Sequence, residues 1–416
     1  MVPRWRTALA GAFIPLAALT AIVGLFLVRS AAPKPVQLPS DAYIWQRQWR
    51  DELLRSITQA APSIQTWHIL AAEFDQAGQW HDTALLSSRQ VLASHRVIAV
   101  FRLSGRIEAL DPVQTGQHIE QVLARWQTLG LTPEGIEIDH DCPTARLGDY
   151  ATWLDALHRR LSGRYRLTIT ALPSWIGAPA LGSVLSHVES VVLQLHAVSN
   201  PAGGLFRAHE AQRDAAGFGR ISPVPWQIAL PSYGTKIIWG EAGQPVAVES
   251  EMARGIARGA GQELTVAPEE VAQFMERIEH APPAGLAGWI WFRLPVAGDR
   301  RAWSLPAWLT LVRHEPLRRA LSLGLNPQGA ALYHIVLRND GTIDATLPLI
   351  IHADKGCAGM GAQGPYRLDY DQAGPVLVRT GEALLPVGQE IVAGWLTCQK
   401  KKDQINVSAQ DVTPRF

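Results

Sequence analysis

The acidic residues of the segment Glu134–Asp141 are the first candidates for chemistry in this sequence. The segment reads EGIEIDHD, and Glu137, Asp139 and Asp141 occupy alternate positions within it. In a β-strand, alternate side chains point to one face at a spacing of about 6.6–6.8 Å. Carboxyls this close and shielded from bulk water cannot all ionise cheaply, so the pKa of at least one is expected to rise. A protonated carboxyl beside an ionised one is suited to general acid catalysis.

The rest of the sequence predicts the fold that holds this strand. Short apolar runs alternate with helical patterns over residues 41–322, and eight of these runs are candidate strands. They are Tyr43–Arg47, Trp67–Phe74, Val97–Ser104, Gly135–Asp141, Arg166–Pro173, Val191–Val198, Trp226–Ser232 and Gly288–Leu294. No Gly-rich phosphate loop follows any of them, which disfavours an open doubly wound sheet. The pattern therefore predicts an α/β fold, a (β/α)8 TIM barrel.

In such a barrel the isoleucines of the fourth strand face the helices and its carboxyls line the interior. The carboxyls approach the C-terminal mouth, where barrel enzymes carry their active sites. A purely structural alternative is a salt-bridged interior, because Arg47, Arg102 and Arg293 stand near the ends of strands one, three and eight. A barrel interior filled with apolar side chains is usually at least as stable as one that buries several ion pairs. The buried charges therefore favour a functional role over a purely structural one.

Several segments resemble glycoside hydrolase family 18, the chitinase-like barrels. EGIEIDHDCP is similar to the fourth-strand motif of that family, Asp-Gly-x-Asp-x-Asp-x-Glu, and LTITALPSW is similar to its fifth strand. WQIALPSYG resembles its GxPxYG segment with Tyr233 in the Tyr position, and GWIWFRL its eighth strand with Trp291 near the substrate-floor Trp. The sequence also resembles an uncharacterised bacterial envelope family, domain-of-unknown-function family 3142, which implies no mechanism.

The chitinase-like resemblance implies cleavage of a glycosidic bond in a poly- or oligosaccharide, with Asp141 as the general acid. Asp139 is then the ionised partner that stabilises oxocarbenium-like charge, and Glu137 lies deeper and holds Asp139. The family has Glu where this chain has Asp141, and a Tyr-Asp pair where it has His196-Ala197. The second change removes a group that positions the N-acetyl substituent, which argues against chitin as the substrate.

A carbohydrate at the mouth has nine further candidate contacts. They are Tyr233, Trp291, His196, Gln194, Trp175, Glu73, Arg102, Arg293 and Arg47. The two tryptophans are candidate stacking platforms, the arginines suit an anionic sugar such as a uronate, and Glu73 is an alternative acid or base paired with Asp139 or Asp141.

The main alternative to an enzyme is a catalytically inactive glycan-binding barrel of the cell envelope. A metal site built from His196 and the acids ranks below both, because no HxxxH or CxxC spacing supports it. No cofactor is expected.

Residues 327–416 differ in character from the barrel. Alternating apolar runs with turn signals such as Asn339-Asp340-Gly341 predict a small antiparallel β-sandwich. Cys357 and Cys398 lie in this part and can pair in an oxidising compartment, although the spacing alone leaves the pairing open. Cys142 is then free, and packing at a strand end explains it better than nucleophilic chemistry.

The N-terminus predicts a membrane anchor. Residues 7–28 carry no charge and are long enough to cross a bilayer, which takes about 20 residues. We therefore assign residues 1–28 to an inner-membrane anchor, with a cleaved secretory signal as the second choice, and residues 29–40 to a linker. The globular part is then periplasmic. The net charge of +1 and the lack of a dominant basic block argue against nucleic acid as a partner, and the oligomeric state stays open.

Overall fold

The computed structural model describes residues 35–84, 91–92, 94–104, 110–195, 204–239, 245–249, 261–299, 301–372, 374–410 and 412–415. The predicted anchor at residues 7–28 and the candidate contact His196 lie outside these ranges. Within them, no helix has both the length and the apolar character that a membrane crossing requires.

Twelve strands are described before residue 300. They are β1 Ser40–Ile44, β2 Thr66–Phe74, β3 Trp80–Asp82, β4 Arg96–Leu103, β5 Gly135–Asp139, β6 Arg166–Ala171, β7 Ser190–Gln194, β8 Trp226–Leu230, β9 Thr235–Trp239, β10 Pro245–Glu249, β11 Gly261–Leu264 and β12 Leu286–Trp291. Eight of them, β1, β2, β4 to β8 and β12, run parallel, and the pairing of β1 with both β2 and β12 closes the sheet into a barrel. Strand β3 adds antiparallel to β2, and β9 to β11 form a separate sheet.

Six of the seven helices that the structure describes fall between barrel strands, and the seventh follows the last barrel strand. They are α1 Asp51–Ala60, α2 Pro112–Thr128, α3 Leu147–Leu161, α4 Leu181–Leu185, α5 Ala208–Gly219, α6 Pro268–His280 and α7 Leu305–Val312. Short 3₁₀ turns lie at Ala61–Ser63, Thr144–Arg146, Pro173–Trp175 and Lys402–Gln404. Helix α2 begins with Pro112 after the N-cap Asp111, whose carboxylate accepts a hydrogen bond from the Val113 amide at 2.8 Å. This arrangement satisfies a donor that the helix itself leaves unpaired.

The closed (β/α)8 barrel and the separate antiparallel sheets are confirmed, but six of the eight barrel strands end two or more residues before the predicted position. Two of the differences affect the site. The first strand begins at Ser40 instead of Tyr43, so Asp41 lies within it. The fourth barrel strand, β5, ends at Asp139 instead of Asp141.

Alternate side chains of each barrel strand point outward to the helices or inward to the barrel interior, and this gives the barrel two apolar cores. The larger core packs the outward faces of the strands against the helices and includes Ile136, Ile138 and Trp291. The smaller core lies inside the barrel and joins residues from five different strands. These residues are Tyr43, Val100, Val192, Ala229 and Ile290.

The C-terminal part consists of short strands in three sheets. The strands are β13 Leu321–Pro327, β14 Leu332–Asn339, β15 Ala345–Thr346, β16 Ile350–Ala353, β17 Gly359–Ala362, β18 Tyr366–Asp371, β19 Gly374–Arg379, β20 Leu384–Leu385, β21 Glu390–Thr397, β22 Val407–Ala409 and β23 Val412–Arg415. Five strands form the order β17-β21-β14-β13-β23, four form β18-β19-β16-β22, and β15 pairs with β20. The pairs are antiparallel except β13 with β23, which is parallel.

The structure answers the question that the sequence left open for the cysteines. Cys357 and Cys398 form a disulfide, with their Cα atoms 4.3 Å apart, and Cys142 is free and buried. Burial and the nearby charge of Asp149 raise the pKa of the Cys142 thiol to about 11. The thiol is therefore a packing group at neutral pH.

Hydrogen bonds attach the C-terminal sheets to the barrel. Asp344 accepts from the backbone amide of Ser304 at 2.7 Å and from its hydroxyl at 2.6 Å, at the start of α7. Arg319 forms a two-pronged ion pair with Glu269 on α6, at 2.6 and 2.9 Å.

Candidate active site

Strand β5 presents its acidic side chains to the barrel interior, as the alternation predicts. Ile136 and Ile138 are fully buried in the outer core, while Glu137 and Asp139 point inward and are 0% and 5% exposed. Asp141 lies beyond the end of the strand and is exposed. Its position is therefore set by the loop after β5 and not by strand alternation.

Glu137 lies deepest and is held by two strands across the barrel. Its Oε1 accepts a hydrogen bond from the Tyr43 hydroxyl at 2.5 Å, and its Oε2 lies 2.7 Å from His68 Nδ1. The other ring nitrogen of His68 lies 3.7 Å from Asp41 Oδ2.

The carboxylate of Asp41 also accepts from the Thr66 amide at 2.8 Å and from the Gln227 side chain at 2.6 Å. These groups form one buried polar network beneath the mouth.

The His68 imidazole is protonated at neutral pH. Burial alone lowers its pKa, but the charge of Glu137 and the hydrogen bonds to Asp41 and Glu137 outweigh burial and raise the pKa to about 9. The positive charge of the ring lies between two carboxylates and offsets part of their mutual repulsion.

Asp139 lies above this network, at the C-terminal end of β5. Its Oδ1 accepts from the Thr170 hydroxyl at 3.0 Å and from the Gln194 amide at 3.3 Å, and its Oδ2 lies 3.7 Å from Arg102 Nε. Burial raises the pKa of Asp139 most; the Arg102 charge and the Thr170 hydrogen bond lower it, and the charges of Asp141 and Glu137 raise it further. The resulting pKa is about 6. The raised pKa that the sequence argument expected for one carboxyl of the group thus falls on Asp139, the residue that had been assigned as the ionised partner.

Asp139 and Asp141 line the same cleft. The cleft has a volume of about 280 Å³ and lies at the mouth of the barrel. Its other lining residues are Gln76, Arg102, Leu103, Ser104 and His140. A second cavity of about 340 Å³ shares Gln76 and Ser104 with it and continues toward Phe74 and Trp80.

The side chain of His140 points to the opposite side of the chain from those of Asp139 and Asp141. It is 3% exposed, its Nδ1 lies 2.9 Å from the Leu103 carbonyl oxygen, and its ring packs on Tyr150. Burial lowers the pKa of His140.

The three candidate arginines have different acidic partners. Arg102 is half-exposed beside Asp139, with its guanidinium carbon 5.8 Å from the centre of the Trp45 ring. Arg47 pairs with the candidate acid Glu73, and Arg293 pairs with Asp299 at 2.5 Å. Arg47 and Arg293 thus pair with acids other than Glu137, Asp139 and Asp141. The structure therefore does not support a single salt-bridged cluster that joins all three arginines to these carboxyls.

The prediction that Trp291 and Trp175 are stacking platforms is wrong. Trp291 and Trp175 are 0% exposed, so neither indole presents a face to a substrate. Trp291 donates to the Ser40 hydroxyl at 3.2 Å, and Trp175 donates to the Cys142 carbonyl oxygen at 2.9 Å. In β12 the residues with inward parity are Ile290 and, just after the strand, Phe292, so Trp291 faces the helices.

Different aromatic residues lie at the mouth. Trp45, just after β1, stacks on Tyr43 with ring centres 4.8 Å apart and contacts Phe292 at 5.4 Å. Trp45 and Phe292 are partly exposed, and the predicted contact Tyr233 packs on Phe292 at 5.7 Å. Burial raises the pKa of Tyr233 above that of an ordinary tyrosine. The inward parity of Asp41, Tyr43 and Trp45 was the sequence signal for this cluster.

Among the residues that the structure describes, no group of three or more His, Cys, Asp or Glu side chains is arranged to hold a metal ion.

Comparisons with known proteins give two family matches. Residues 93–297 match the family described as Domain of unknown function (DUF3142), and residues 324–399 match Domain of unknown function (DUF8456). A search of the curated proteins finds no relative of this sequence.

Solved structures similar to this chain include two from bacteria. One is a chitinase from Chromobacterium violaceum, at 13% identity over 62% of this chain and 95% of that chain, with a TM-score of 0.47. Another is the spore cortex-lytic enzyme SleL from Bacillus cereus, at 12% identity over 68% of this chain and 75% of that chain, with a TM-score of 0.46. Likeness at this level says nothing about activity. The family match is more specific, because residues 93–297, which match the DUF3142 family, carry β5 and most of the barrel.

Proposed function

We propose that this protein is a glycoside hydrolase-like enzyme of the cell envelope that cleaves a poly- or oligosaccharide by carboxylate general acid catalysis at the barrel mouth. The observation that carries this proposal is the pair Asp139 and Asp141 in one cleft at the C-terminal end of a parallel barrel. One carboxyl of the pair is buried and the other is exposed.

The two positions suit different parts of the reaction. Asp141 is accessible to a glycosidic oxygen and is assigned the role of general acid. Asp139 is mostly ionised at pH 7 but lies about one unit from its pKa of about 6, so it can stabilise positive charge and can also take up a proton. Glu137 supports Asp139 from below.

The surroundings of the pair support a carbohydrate substrate. Trp45 and Phe292 offer partly exposed aromatic surface beside Arg102, and aromatic faces are common partners of sugar rings. Arg102 places a half-exposed positive charge next to the cleft, which favours an anionic sugar such as a uronate.

The location at the envelope is part of the proposal. The uncharged segment 7–28 suits an inner-membrane anchor. The Cys357–Cys398 disulfide supports a periplasmic globular part, because disulfides persist in oxidising compartments.

The test is release of reducing ends by the full-length protein from neutral, N-acetylated and uronate-containing polysaccharides. We expect turnover of at least one class, and a loss of about 10²–10⁴-fold in Asp141→Asn, the range for general acid catalysis. The matched control is Asp149→Asn, an exposed aspartate in the first turn of α3, which should keep the wild-type rate. Equal rates in wild type and Asp141→Asn would overturn the assignment of Asp141 as the acid.

The second candidate is a catalytically inactive glycan-binding barrel. It is favoured by the position of Asp141, which is shorter than the Glu of the chitinase-like motif and lies beyond the hydrogen-bonded part of β5. Retardation of wild type and Asp141→Asn alike in glycan-containing gels, with no turnover in either, would support this candidate.

A further inference from the structure

The buried network beneath the mouth contains a histidine and an aspartate that the proposed reaction does not use. His68 on β2 and Asp41 on β1 are 3% and 6% exposed. His68 Nδ1 lies 2.7 Å from Glu137 Oε2, and its Nε2 faces Asp41 Oδ2 at 3.7 Å. The ring therefore bridges two buried carboxyls that belong to different strands.

The hydrogen-bond partners determine where the protons lie. Asp41 accepts from the Thr66 amide and from the Gln227 side chain, so its carboxylate acts as an acceptor and the facing Nε2 of His68 carries hydrogen. One proton then lies between Nδ1 and Glu137 Oε2. An imidazole, with a reference pKa of about 6.5, holds that proton in preference to a carboxyl, at about 4.3. His68 is thus an imidazolium.

Glu137 belongs to this network through its contact with His68, and its charge also acts on Asp139 at the mouth. Its second oxygen accepts from Tyr43, so both oxygens act as acceptors once His68 is charged. The ionisable groups around Glu137 are Asp41 and Tyr43 from β1, Arg102 from β4, and Asp139 from β5, with Asp141 just beyond. Among the described residues, the donors at Asp139 are the neutral Thr170 and Gln194 and the half-exposed Arg102.

We propose that His68, anchored by Asp41, is a positioning residue that holds Glu137 as an acceptor-only carboxylate, so that the exchangeable proton of the mouth stays on Asp139. Without the imidazolium, Glu137 would compete for that proton and draw it away from the cleft. This role rests on the proposed function, because it gives the mouth pair its proton, but the arrangement of charges is measurable without any substrate.

The first experiment uses the wild-type full-length protein with 15N-labelled histidine. We expect the His68 ring nitrogens to show the shifts of an imidazolium at pH 7 and to deprotonate only near pH 9. A neutral His68 ring at pH 7 would overturn the proposal.

The second experiment compares two variants that each remove one hydrogen bond to Glu137. His68→Asn removes the positive charge, whereas Tyr43→Phe leaves it in place. With 13C-labelled side-chain carboxyls, we expect Asp139 to titrate near pH 6 in wild type and in Tyr43→Phe. In His68→Asn the midpoint of Asp139 should fall, because Glu137 then takes the proton that the cleft otherwise keeps. An Asp139 midpoint that is the same in both variants would contradict the proposal, and the wild-type nitrogen experiment still decides if His68→Asn does not fold.

Failure of the proposed function has a different signature. If the charges are as expected but no polysaccharide is cleaved, the positioning role of His68 stands and the enzyme assignment fails. If turnover is seen but Glu137 carries the exchangeable proton, the enzyme assignment stands and the role of His68 fails.

Discussion

Two carboxyls at opposite ends of the barrel are equally buried and have opposite shifts in pKa. Asp139 at the mouth and Glu279 near the opposite end are each 5% exposed. The pKa of Asp139 is raised to about 6, whereas the pKa of Glu279 is lowered. Low solvent exposure alone therefore does not decide the protonation of a carboxyl in this protein, and the groups around it contribute to the difference.

The partners of the two carboxyls explain the difference. Burial raises the pKa of Glu279, but hydrogen bonds from His314 at 2.9 Å, Trp289 at 3.0 Å and the Leu38 amide at 3.1 Å outweigh it. Asp139 has weaker donors and two acidic neighbours. Glu279 ties α6 to β12 and to the chain before β1, which is a structural role. A buried carboxyl with incomplete compensation at a cleft is typical of a functional site.

The largest expected effect is on Glu279. Glu279→Ala should lower the free energy of unfolding by about 4 kcal/mol, because removing one partner of a buried charged cluster leaves the others unsatisfied. This contribution is fully present above the ordinary glutamate pKa of 4.5 and is lost as pH falls through the lowered value. Urea unfolding measures it. The control Glu276→Ala, an exposed position on the same helix, should change stability by less than about 0.5 kcal/mol.

His68 should give stability a dependence on pH in the alkaline range. Because its pKa is raised from 6.5 to about 9, its contribution is complete below pH 6.5 and is lost as pH rises through about 9. The loss is about 3 kcal/mol at about 1.36 kcal/mol per unit. Urea unfolding from pH 6 to pH 10 should show this loss in wild type and in the exposed control His280→Gln, but not in His68→Gln. If the free energy of unfolding of His68→Gln falls between pH 6 and pH 10 as much as that of wild type, the group that loses its proton in this range is not His68.

Asp139→Asn should stabilise the protein above pH 6. The raised pKa means that the protonated carboxyl is favoured in the folded state; this contribution is complete below pH 3.8 and is lost as pH rises through about 6. Removing the ionised form should therefore raise the free energy of unfolding by about 3 kcal/mol at pH 8 and change it little below pH 3.8. Asp149→Asn is the matched control. If Asp139→Asn is less stable than wild type at pH 8, the partners of Asp139 stabilise its ionised form, as those of Glu279 do.

The smallest expected effect comes from Thr170. Thr170→Val removes a hydrogen bond that favours the ionised form of Asp139, so the pKa of Asp139 should rise further, by about half a unit to one unit. Titration of the 13C-labelled carboxyl measures the change. A fall in the midpoint would mean that Thr170 does not stabilise the charge.

Much of the barrel and part of the site were predictable because strand alternation is a local property. The pattern of Gly135–Asp139 correctly placed Glu137 and Asp139 inside and the isoleucines outside. Alternation stops where the strand stops, so it did not show that Asp141 lies in a loop. The first strand was predicted to begin at Tyr43, and the inward Asp41 was missed with it.

The remaining differences depend on contacts between distant segments. Trp291 was matched to a substrate-floor residue, but its parity in β12 turns it toward Trp303 and Trp308. The network of Asp41, His68 and Glu137 joins three strands, and no spacing along the chain reveals which side chains meet across a barrel. His196 and the predicted anchor at residues 7–28 lie outside the described residues, so both stay predictions.

The most direct test is a pH titration of wild-type protein with 13C-labelled side-chain carboxyls, in which Asp139 and Glu279 are observed together. We predict that Asp139 titrates with a midpoint near 6 while Glu279 remains ionised to below the ordinary glutamate value of 4.5. An Asp139 signal that titrates at or below 3.8, like an exposed aspartate, would contradict the claim that the barrel mouth holds a carboxyl poised for proton transfer.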